Sequence, residues 1–191
     1  MDKKVQKFLR TIAQIESSGG KNVEHKQIDE GIHAGSSAYG KYGLMPNTIR
    51  ELSNSEYGKT LPKELSKMED GKIKEILKSN PQLEEAIAQS LYKKIQDRST
   101  DPRDQAYMWN AGHNLTQDQL LNRDVENYPY VEKFVKEQGD DPDFQKQIPL
   151  ADAVKDSSRE FKFMQALFNS QREEPEIPFE DEEELKKLAK Q

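Results

Sequence analysis

Two dipeptides, Asn80-Pro81 and Asp101-Pro102, constrain this chain more than anything else in it. Each puts a side-chain acceptor where a helix N-cap needs one and a proline in the first turn, where a missing N–H costs nothing. After the first, Leu83, Ile87, Leu91 and Ile95 recur every four residues, which predicts one long amphipathic helix. After the second, a helix is predicted through Trp109 and closed by Gly112. The same periodicity in Val5, Phe8, Leu9, Ile12 and Ile15 predicts a helix over 4–16, stopped by Ser17, Ser18, Gly19 and Gly20. Shorter helices are predicted over 47–52 and 70–77, with a linker-like stretch between them, and another around Val131, Phe134 and Val135, ended by Gly139. Residues 21–42 are irregular and read as a long loop or a small hairpin. No other strand pair stands out, so the fold is predicted to be mainly α.

A chain of 191 residues supports one core and an appendage. Because 33% of residues are hydrophobic and 34% charged, part of the chain is expected to pack poorly, at an end. Beyond Gly139, Ser157 and Glu160 form a capping-box pattern ahead of a stripe of Phe161, Met164, Leu167 and Phe168, predicting one more helix. Residues 173–184 hold eight acidic side chains and no basic one, broken by Pro175 and Pro178. That run reads as a solvated acidic tail or as a docking segment for a partner. The expected organisation is therefore a main domain over 1–139, a helical segment over 140–172 and a tail over 173–191.

Several classes of function are disfavoured. A formal charge of -6 without a dense basic stretch does not suit nucleic acid. Lys3, Lys4, Lys7 and Arg10 precede no uninterrupted apolar run, so no signal peptide and no membrane insertion are expected, and the product is expected to be made in the cytoplasm. With no cysteine, disulfides and thiolate chemistry are excluded.

One carboxylate is out of place. Glu16 lies four, eight and eleven residues after Ile12, Phe8 and Val5, so helical geometry puts it on the apolar face. Desolvation and the negative end of the helix dipole both raise a carboxyl pKa there. A neutral acid near pH 7 is what glycosidic cleavage needs, because the leaving oxygen must receive a proton. Periodicity alone leaves the plainer reading standing, a polar residue at a frayed helix end.

Four short strings in order carry further information: Ile15-Glu16-Ser17-Ser18-Gly19, Tyr42-Gly43-Leu44-Met45-Pro46-Asn47-Thr48, Trp109-Asn110-Ala111-Gly112 and Tyr130-Val131. The series resembles the lytic transglycosylases of the soluble (SLT) type, and covers about Val5 to Lys136. The resemblance implies a lysozyme-like helical domain of the goose-type/SLT kind, with peptidoglycan glycan strands as substrate and no cofactor. It implies Glu16 as the sole catalytic acid and base. Ser17 belongs to its Glu-Ser pair. Gly43, Leu44 and Met45 would form one wall of the saccharide cleft, Asn110, Ala111 and Gly112 a second, and Tyr130 would hydrogen-bond the carboxylate.

The pattern is not reproduced everywhere. Met45 runs straight into Pro46, where the family commonly has an intervening Gln, so Asn47 is left as a substitute contact. Trp109 stands where Tyr is usual, and Tyr107 is the nearby candidate for a hydroxyl. The segment between Glu16 and Gly43 is long, placing Asn22, His25, His33 and Ser36 in an insertion, as phage-encoded members do. A wall enzyme without a leader also points to a bacteriophage, as a virion component or a lysis protein, with the acidic C-terminal region free to hold other virion proteins. His25 and His33 with Asp29 or Glu30 match no established metal spacing. His113 is expected at the cleft rim. Two alternatives stay open: a hydrolytic muramidase on the same fold, with Asp29, Glu30, Glu51 or Glu56 as a second carboxylate, and a non-catalytic virion or wall-binding protein.

Overall fold

In the computed structural model, residues 2–27, 37–139 and 144 are described. All belong to the first of two compact units, Met1–Ala151; the second, Asp152–Gln191, lies outside them, as do the predicted helix after Ser157 and the acidic run. The described part is mainly helical. In order come α1 (Lys3–Ser17), β1 (Glu24–Gln27), β2 (Ser37–Tyr39), α2 (Pro46–Asn54), a 3-10 turn (Lys63–Lys67), α3 (Asp70–Ser79), α4 (Pro81–Gln96), α5 (Pro102–Ala111), α6 (Gln117–Leu121) and α7 (Pro129–Gln138).

The helix starts follow their local chemistry. Asn80 accepts from the backbone N–H of Leu83 and Asp101 from that of Arg103, at 3.0 and 2.8 Å. Pro46 and Pro129 open α2 and α7 by the same first-turn rule. The irregular segment contains a small antiparallel hairpin, β1 on β2, with Glu24 opposite Tyr39 and Gln27 opposite Ser37. Two elements escape the periodicity argument. The helix α6 has only five residues and is set by a reciprocal capping box between Thr116 and Gln119, while the 3-10 turn interrupts the linker-like stretch because Leu65 is buried.

The core gathers α1, α4, α5 and α7. Phe8 sits at its centre, with ring centroids 4.5 Å from Tyr92, 5.2 Å from Phe134 and 5.8 Å from Trp109. Ile12, Ile87, Ile95, Met108 and Val131 are sealed around it. Thus the face of α1 that ends in Glu16 is fixed by tightly packed apolar side chains. No helix among the described residues is long and apolar enough to cross a membrane.

Candidate active site

Glu16 occupies the last turn of α1, where the chain turns off through Ser18 in the left-handed region at φ 52°. The next residue fastens this end. The Ser17 hydroxyl lies 3.0 Å from the carbonyl of Ala13 and 2.7 Å from that of Lys41, and it accepts from the N–H of Gly20 at 2.8 Å. Ser17 is buried and its hydroxyl is fully engaged, so it joins α1 to the turn at 40–43 and presents nothing outward.

That turn is closed by Tyr39 and Leu44, which exchange backbone hydrogen bonds of 3.0 and 2.9 Å. Gly43 has φ 62°, and a Cβ built on it would stand 2.5 Å from Oε2 of Glu16. Only glycine lets the backbone come so close to the carboxylate. Three more groups brace the turn. Trp109 donates its indole N–H to the carbonyl of Tyr42 at 3.3 Å, the buried Glu84 accepts from the N–H of Tyr42 at 3.3 Å, and His25 Nε2 lies 3.0 Å from the carbonyl of Gly40.

The carboxylate itself is 16% exposed. Burial raises its pKa above the ordinary 4.5, against the opposing pull of a hydrogen bond from Tyr130 and the electrostatic influence of the nearby His25 and Lys133. Tyr130 donates to Oε1 at 2.7 Å. Burial, followed by the charge of Glu16, pushes the Tyr130 hydroxyl far up, so it stays protonated and remains the donor. With Oε1 occupied as an acceptor, the acid proton belongs on Oε2, the oxygen under Gly43. On that side stands His25, its Nδ1 4.0 Å from Oε2.

The structure brings Glu16, Ser17, Gly43 and Tyr130 together. Leu44 is a core residue and Met45 is half-buried at the start of α2. Asn110 and Ala111 are exposed at the end of α5, and Gly112 caps it at φ 134° with open space around it. The Asn110 side-chain oxygen Oδ1 accepts from the hydroxyl of Tyr128, the residue just before α7, at 2.8 Å. Tyr107 is buried, its hydroxyl takes a hydrogen bond from Arg123 at 2.9 Å, and its ring meets Tyr128 edge-on at 4.7 Å.

Of the other carboxylates, Glu51 is committed to Lys94, Asn114 and His113, with Oε2 3.1 Å from His113 Nε2. Burial alone would raise its pKa, but hydrogen bonds from Lys94 and Asn114 and the nearby positive charges outweigh it and hold the carboxyl low. Glu56 is exposed. Asp29, Glu30, His33 and Ser36 lie outside the described residues, and Asn22 is exposed. Among the described residues no group of three His, Cys, Asp or Glu is arranged to hold a metal ion.

No family model, curated protein or solved structure matches the chain. What the site can do chemically therefore rests on its own geometry. A carboxyl whose pKa burial raises, fixed at one oxygen by a tyrosine and approached at the other by the backbone of Gly43, can deliver a proton to an oxygen reaching Oε2. Nothing in the sequence points to Glu84, and His25 stands out there only as a loop residue suited to local hydrogen bonding or sugar contact, without its approach to Glu16. His25 was set among insertion residues because four-residue β1 carries no pattern that points it at α1. Glu84 sits in a helix turn where a carboxylate reads as a normal first-turn residue.

Proposed function

We propose that the protein cleaves the β-1,4 bond between N-acetylmuramic acid and N-acetylglucosamine in peptidoglycan as a lytic transglycosylase on a lysozyme-like domain, with Glu16 as its acid. The observation that carries this reading is the Glu16–Tyr130–Gly43 arrangement: a desolvated carboxyl, its Oε1 held at 2.7 Å and its Oε2 facing a glycine turn. Support also comes from the order of the four strings, whose first, second and fourth members meet at this carboxylate.

In the reaction, Oε2–H protonates the bond oxygen as the C1–O bond breaks. The acetamido group of the same sugar stabilises the positive centre. The C6 hydroxyl then attacks C1, giving a 1,6-anhydro end, and its proton returns to the site. No water enters. Backbone groups of the 40–43 turn and the exposed Asn110–Gly112 edge are the surfaces offered to the sugar chain. A phage virion component or lysis protein is the setting that fits such an enzyme.

Mass spectrometry of digested peptidoglycan tests the reaction. Anhydromuramic ends are expected; reducing muramic ends alone would replace the transglycosylase with a hydrolytic muramidase. Absence of any soluble product would leave a wall-binding or virion structural role instead.

A further inference from the structure

We propose that His25 is a second catalytic residue, the base that takes the proton of the attacking hydroxyl at Nδ1, while Glu16 is the acid of the first half-reaction. The proposal rests on the glycan-cleaving reading above and divides between two side chains what that reading gave to Glu16 alone.

The argument begins with the far side of the ring. Nε2 lies 3.0 Å from the carbonyl oxygen of Gly40, which can only accept, so Nε2 carries the proton. In the neutral ring Nδ1 is then a bare lone pair, and it stands 4.0 Å from Oε2 of Glu16. This tautomer is fixed by the same turn that places Gly43 over the acid. The ring is 16% exposed, so it is not sealed off from solvent. Tyr130 is unsuited to the role, because its hydroxyl is spent on Oε1.

The short separation fixes the face of attack. Groups acting on opposite faces of a sugar ring in an inverting enzyme stand about 6.5–9.5 Å apart. An acid and a base 4.0 Å apart cannot straddle the ring. The attacking hydroxyl must approach from the face that the leaving oxygen vacated, with retention at C1, as intramolecular attack by C6–OH requires. The protons balance: Oε2–H goes to the leaving oxygen, the O–H bond of the attacker breaks as its C1–O bond forms, and its proton goes to Nδ1. Transfer from Nδ1 to Oε2 restores the starting state.

The test compares His25→Gln and His25→Ala in the full chain on peptidoglycan. Gln keeps an N–H donor for the Gly40 carbonyl but has no base. Both variants are expected to lose about 100-fold or more in kcat with KM little changed. A Gln variant as fast as the unmodified protein overturns the proposal, showing that His25 only braces the turn, while the glycan-cleaving reading stands. An unmodified protein that releases no product removes that reading instead. Should neither variant fold, nitrogen-15 NMR of the histidine rings in the unmodified protein decides. A ring protonated at Nε2 is expected, and one protonated at Nδ1 with Nε2 bare overturns the assignment.

Discussion

The turn at 40–43, whose last two residues open the second string, and the edge at 110–112, from the third, are built on opposite terms. The turn is held by Ser17, His25, Glu84 and Trp109, and its Gly43 touches the acid. The edge is exposed, with Gly112 in open space and one side-chain link, Asn110 to Tyr128. The contrast teaches that the turn is packed against Glu16, whereas the edge makes little contact within the fold and is open to a ligand under the proposed function. Under the proposed function, a side chain added at Gly43 is expected to disturb chemistry and stability together, and one removed from the edge to act mainly on binding.

Gly43→Ala breaks the turn. It combines a left-handed backbone with a Cβ 2.5 Å from Oε2, so Glu16 must move. A loss of about 100-fold or more in kcat is expected, since misplacement of about 1 Å has that effect, along with about 1–3 kcal/mol of stability. Retention of both in a clearing assay and a thermal melt would contradict the close approach.

Tyr130→Phe is milder. Losing one hydrogen bond to a group that can carry charge costs about 1.5–3 kcal/mol at most. Its pH effect has a definite sign. The Tyr130 bond favours the Glu16 carboxylate, so removing it lifts the carboxyl pKa further above its already raised value. Because the acid must be protonated, activity falls as pH rises through that value. The alkaline limb of the rate profile is therefore expected to move to higher pH in the variant, and a shift to lower pH would reverse the assignment of Tyr130 as donor.

Asn110→Ala should give the smallest effect. Its site is exposed, so the melting temperature is expected to change by less than about 1 °C while KM rises several-fold at constant kcat. A stability loss comparable to that of Gly43→Ala would erase the distinction between turn and edge.

These regions also show what the sequence could reveal. α1, α4 and α5 were legible because their starts are capped, or their apolar residues recur over many turns; α6 was not, because five residues cannot express a period. Glu16 stands on a long apolar face, but only the four strings taken together set it apart from a polar residue at a helix end. The place of His25 was not legible, since its approach to Glu16, nine residues earlier, depends on the path of the chain after α1 into a four-residue strand too short to express a pattern. Tyr107 offered a hydroxyl near the third string, but the fold spends that hydroxyl on Arg123.

Glu16→Gln, measured for stability and for peptidoglycan clearing on the same preparation, tests the central claim most directly. A carboxyl whose folded pKa lies above 4.5 weakens the fold as pH rises through that range, so the neutral amide should match the unmodified protein below about pH 4 and exceed it near pH 7. A higher melting temperature than that of the unmodified protein is expected at neutral pH, with clearing reduced by at least about 100-fold. A variant that clears the suspension as fast as the unmodified protein, or that melts lower at pH 7 than at pH 4 relative to it, would contradict the account of Glu16 as a buried catalytic acid.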